Sequence, residues 1–134
     1  MIFFLVAVIV FGLLVLGVVG LVHKRRPYVM RKDYFENQWI QLLTRVKSPE
    51  GMILAVIDAD KLLDEALKRR RFRGKTTGER LVAAQRLISD NDAVWYAHKL
   101  RNRLVHEPNI RLKKSEAQSA LAGFRQGLRD LGAL

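Results

Sequence analysis

With no cysteine among its 134 residues, the chain can form neither disulfides nor thiolate metal sites. Its formal net charge of +11 turns it toward polyanionic partners, either nucleic acid or anionic lipid. Once the uncharged N-terminal segment is set aside, what remains is enough for one compact domain of about a hundred residues.

Ile2 to Val22 is an unbroken apolar run without a charge. At about 1.5 Å rise per residue, a helix of that length crosses a hydrocarbon layer about 30 Å thick. A cleaved signal peptide would put basic residues before the run and a small-residue cleavage site after it. Here Met1 alone precedes the run, and His23-Lys24-Arg25-Arg26-Pro27 follows it, so residues 1–23 are expected to be a retained, single-pass anchor. Lys24, Arg25, Arg26, Arg31 and Lys32 form a basic juxtamembrane linker over residues 24–32. By the positive-inside rule they place the amino terminus outside the cell membrane and the C-terminal domain in the cytoplasm. The same cations would lie among anionic headgroups, a lipid partner that each favours by roughly 1 kcal/mol.

Residues 33–134 are expected to form five helices. Asp33 with Glu36 resembles a capping pair, opening a helix that runs through Phe35, Trp39 and Leu42 to about Lys47. Ser48-Pro49-Glu50 starts a second: a capping serine, proline at the first helical position and an acid in the first turn. On it, Asp64 with Lys68 and Glu65 with Arg69 are acid-before-base pairs four residues apart. Asp60 falls on the stripe of Ile53, Ile57 and Leu67. It either belongs to a solvated acidic face or is partly buried and in need of a cationic partner. Lys68, Arg69, Arg70, Arg71, Arg73 and Lys75 close this helix and continue as a basic loop around Phe72. The first of these cations complement the helix dipole; the excess suits contact with RNA or lipid.

Thr76-x-x-Glu79 is a capping box for a third helix through Leu81, Ala84, Leu87 and Ile88. Ser89-Asp90-Asn91-Asp92 offers caps for a fourth. Val94, Ala97, Leu100, Leu104 and Val105 mark its buried side, and Pro108 should end it near His106. Ser115-x-x-Gln118 is expected to cap the fifth, with Ala117, Ala120, Leu121, Phe124, Leu128 and Leu131 facing the core. No strand alternation appears. The fold expected is all-α, a small bundle of about five helices behind one membrane anchor.

The chemistry on offer is narrow. No serine or cysteine nucleophile has an evident base, and Arg73-Gly74-Lys75-Thr76-Thr77-Gly78 lacks the leading glycine and the upstream strand of a phosphate loop. There is no His-Glu-x-x-His pattern, and His98, His106 and Glu107 do not have the spacing of metal ligands, so neither metal nor other cofactor is expected. Arg101, Asn102 and His106 remain. An arginine fork grips phosphate and a histidine moves protons near neutrality, while RNA brings its own nucleophile, the 2′-hydroxyl. In a regular helix Arg101 and His106 stand about 140° apart. They are expected to converge only if the last turn unwinds or a second subunit contributes its own pair. Asn102 and His106 share a face.

Arg101-Asn102-Arg103-Leu104-Val105-His106 resembles the R-x4-H motif of HEPN domains, with a polar residue after the arginine, near the end of a late helix in a small α-helical bundle. The resemblance spans residues 33–134, though its specific part is these six residues, and the anchor lies outside the family's usual pattern. It implies either a metal-independent endoribonuclease, acting as a homodimer with paired motifs at the interface, or an RNA-binding module on the same fold. By position, Arg101 would stabilise the phosphate, His106 would be general base or acid, and Asn102 would orient His106 or the substrate. Helical phase suggests Asp60 as the acid that positions Arg101. The alternative is a non-enzymatic interaction or scaffold module at the inner membrane surface, with Arg101 in a buried ion pair and His106 closing its helix.

Overall fold

The computed structural model describes residues 1–24 and 29–134. Among the described residues it holds six helices and no strand. The first, α1 (Ile2–Lys24), is apolar on every side from Ile2 to Val22 and buries none of these sides. A helix with no polar face and no packing partner is suited to lipid rather than to a protein core. It is long and apolar enough to cross a membrane.

The bundle begins with α2 (Lys32–Leu43), which buries Phe35, Trp39 and Leu42. The expected Asp33–Glu36 cap does not form. Arg31 holds the cap position without a side-chain cap bond, and Asp33 instead accepts from the Arg31 guanidinium at 3.3 Å. The helix also stops at Leu43, short of Lys47. Residues 44–47 continue as turns, tied down by the Thr44 hydroxyl donating to the Gln41 carbonyl at 2.6 Å.

The centre of the fold is α3 (Pro49–Arg69). Its start matches the sequence expectation: Ser48 Oγ accepts from the Gly51 N–H at 3.0 Å, with Pro49 at the first position. Val56, Leu63, Ala66 and Leu67 are buried along it, and α2, α4, α5 and α6 all pack against it. Next comes α4 (Thr77–Ala84), capped by Thr76 Oγ1 accepting from Glu79 N–H at 3.2 Å. It too is shorter than expected, with residues 85–87 forming turns before Ile88 drops into the core.

α5 (Asn91–His106) is capped by Asp90 and ends where Glu107 becomes extended, directly before Pro108. α6 (Lys114–Asp130) starts ahead of the expected Ser115 cap. Lys113 occupies the cap position, and Glu116 reaches back to accept its N–H at 3.0 Å. α5 and α6 lie close because Gly123 faces the backbone of Ala93: a Cβ there would stand 2.6 Å from the Ala93 carbonyl oxygen. Phe35, Leu63, Leu67, Val94, Phe124 and Leu128 fill the space among the helices.

Candidate functional site

The last turns of α5 face the start of α4 across a cleft of about 530 Å³. Residues 98, 102 and 106 recur at four-residue spacing, so α5 presents one row of polar side chains to it, with Arg101 alongside. Lys75, Thr76, Thr77, Gly78 and Arg80 form the opposite wall. Arg101, Asn102 and His106 all line this cleft. The last turn does not unwind to bring them there, since α5 stays helical through His106.

Beneath the cleft lies Asp60, only 2% exposed. It is buried rather than solvated, and it serves two partners. His98 Nδ1 is 2.7 Å from Asp60 Oδ1, and Arg101 Nε is 3.3 Å from Oδ2. The second contact is an ion pair without a proper hydrogen bond, since the buried Arg101 N–H is not aimed at the carboxylate. Arg101 Nη1 donates to Asn102 Oδ1 at 3.0 Å, and Asn102 Nδ2 lies 3.4 Å from His98 Nε2.

These four contacts close a ring, and the ring fixes its own proton positions. An ionised carboxylate only accepts, so His98 Nδ1 carries the hydrogen. Asn102 Oδ1 is taken by Arg101, leaving its amide hydrogens to point at His98 Nε2, which therefore accepts. Arg101 and Asn102 are held in place from below, while His106, at the exposed end of α5, is free to meet a ligand.

Sequence reasoning did not assign His98 to the site. It supplies the hydrogen bond that holds Asp60, from a position 38 residues away along the chain. The available signal was the four-residue spacing of His98, Asn102 and His106, which puts all three on one face. Arg80 was also overlooked. It is buried, grips both oxygens of Asp64 at 2.8 and 3.1 Å, and donates to the Gly74 carbonyl at 2.6 Å, fastening the cleft's far wall to α3. Burial pushes the Asp64 carboxyl up, but hydrogen bonds from Arg80, Lys68 and Thr77 outweigh it and hold the group below the ordinary carboxylate value.

The basic loop is divided in its roles. Lys68 pairs with Asp64 at 2.9 Å, and Arg69 pairs with Glu65 at 2.8 Å while lying over the rings of Tyr34 and Phe35. Arg70 and Arg71 also have interactions within the fold. Arg73 is exposed, and Lys75 alone of the six lines the cleft. Of the juxtamembrane cations, Lys24 ends α1, Arg31 pairs with Asp33 and Lys32 opens α2; Arg25 and Arg26 lie outside the described residues. Among the described residues no three His, Asp or Glu side chains gather as a metal site.

Two guanidiniums, an ammonium and two imidazoles around one open cleft suit a phosphate-bearing ligand, with imidazole nitrogen available for proton transfer. No protein-family model, no curated protein and no solved structure matches this chain.

Proposed function

We propose that the chain is a membrane-tethered, HEPN-like domain that binds and cleaves RNA without a metal, working as a homodimer on the cytoplasmic face. The observation that carries this reading is the meeting of Arg101, Asn102 and His106 in one water-accessible cleft. His106 takes the proton of a 2′-hydroxyl, whose oxygen attacks the adjacent phosphorus. The bond from phosphorus to the 5′-oxygen breaks, leaving a cyclic phosphate and a 5′-hydroxyl that takes up a proton. Arg101 and Lys75 offset the charge gathering on the phosphoryl oxygens. The juxtamembrane cations orient the tether by the positive-inside rule.

The test is incubation of the full chain, in lipid nanodiscs, with end-labelled RNA. Wild type should give 2′,3′-cyclic ends, and His106→Ala should lose cleavage by about 10²–10⁴-fold while still binding RNA. Equal cleavage by both proteins, or none by either at concentrations where the chain is dimeric, removes the catalytic reading. One observation favours the rival reading, a non-enzymatic interaction module: Arg101 is partly committed to buried Asp60. In that case Arg101→Ala lowers the melting temperature and changes no RNA-dependent signal.

A further inference from the structure

We infer that the face formed by α2 and α6 is a second membrane contact, which docks the bundle on the anionic headgroups of the bilayer that α1 enters. Two adjoining grooves, of about 290 and 260 Å³, run along this face and share Trp39 and Arg125. Their apolar lining includes Val46, Met52 and Leu121, and the rim exposes Ile40 and Leu43 at 61% and 41%. Lys114, Arg125 and Arg129 edge the grooves, and none of them has an ion-pair partner among the described residues. Glu36 is the one acid in the lining. The acids at either end of α6 are engaged elsewhere, Glu116 with the Lys113 N–H and Asp130 with Ser89.

Two considerations choose lipid as the occupant. Charge is the first: a two-fold contact with another copy would bring these same cations toward their mates on a chain already at +11, whereas anionic headgroups neutralise them. Reach is the second. From Lys24 at the end of α1 to Lys32 at the start of α2, the backbone extends at most about 29 Å. A tether that short keeps the face near the bilayer at millimolar effective concentration, so a weak contact is enough. Apolar side chains ringed by cations are the composition that settles at a headgroup boundary. The grooves share no lining residue with the cleft of Arg101 and His106.

The cysteine-free chain allows a clean test. A bimane label at Gln118→Cys, exposed on the groove, is compared with one at Val82→Cys, exposed on α4. The full chain is reconstituted into bilayers carrying doxyl-quencher lipids, made of phosphatidylcholine alone or mixed with phosphatidylglycerol. The face is a lipid contact if quenching at position 118 exceeds that at 82 in the mixed bilayers. Docking should then fall by roughly fivefold for each of the neutral variants Arg125→Gln and Arg129→Gln, and by more for each of the reversals Arg125→Glu and Arg129→Glu. Equal quenching at the two positions overturns the inference. So does quenching at 118 that is the same with and without phosphatidylglycerol. Energy transfer between copies that tracks protein-to-lipid ratio, with position 118 protected from quencher, assigns the face to a second copy and overturns it as well.

Discussion

Asp60 meets two cation-capable side chains from a position almost closed to water, and this makes it costly to alter. Asp60→Ala removes the counter-charge of the Arg101 guanidinium and leaves the His98 Nδ1–H without a partner, and should lower unfolding free energy by about 3 kcal/mol in urea titration. Asp60→Asn keeps an oxygen for His98 and should cost about 1–2 kcal/mol. A second residue-scale expectation concerns acid. Asp64 and Asp130 titrate lower in the folded chain than their unfolded value near 3.8; in each case hydrogen bonds outweigh the upward push of burial. Their contribution to stability is therefore complete above that value and is lost as pH falls through the lower, folded one. Asp64→Asn should flatten the acid limb of a plot of melting temperature against pH. The place of Asp60 on an apolar stripe left it open between a solvated acidic face and a buried acid in need of a cation. That His98 would meet it was not legible, because local periodicity carries no information on which residue of a distant helix will lie opposite.

Helix starts with a strong local signal were readable, since the cap is a contact within one turn: Ser48 with Gly51, Thr76 with Glu79 and Asp90 with Ala93. Where the signal was displaced, a competing contact won. Asp33 is drawn to Arg31, and Glu116 caps Lys113 before Ser115 can serve. The ends of α2 and α4 were read too far along because Val46 and Ile88 continue the apolar rhythm, and turns can deliver them to the core as well as helix can. Closer to invisible was the contact of α5 with α6, which depends on what Gly123 lacks. Alanine there gains about 1 kcal/mol of helix propensity, yet its methyl would meet the Ala93 carbonyl, a backbone atom that can yield only if the helices separate. Gly123→Ala should therefore destabilise by about 1–3 kcal/mol. Gly127→Ala meets side-chain carbons of Val94 and Leu63 at 3.1 and 3.2 Å, a closeness that shifts of a few tenths of an ångström relieve. Thermal melts of the two variants should rank Gly123→Ala clearly below Gly127→Ala.

Across the whole molecule, the apolar and the charged parts of the chain are kept apart. From Ile2 to Val22, α1 holds only lipid-compatible side chains and gives none of them to the core, whose members all follow residue 29. The bundle holds the acids and nearly all the cations, and its interior is closed by α3 with its four neighbours. Stability and placement thus depend on different segments. Removing residues 1–24 takes away no member of the core, so the remaining chain, residues 25–134, should unfold with a free energy within about 0.5 kcal/mol of the tethered bundle in nanodiscs. The same truncation should move the protein from the membrane pellet to the supernatant once salt screens its cations, because docking through headgroups without a tether loses the effective concentration that held it there. A truncated chain that melts far below the full one would mean that α1 packs on the bundle and completes it. A melt at the same temperature, with release from anionic vesicles as salt rises, would show a self-sufficient bundle whose address is written in its first helix.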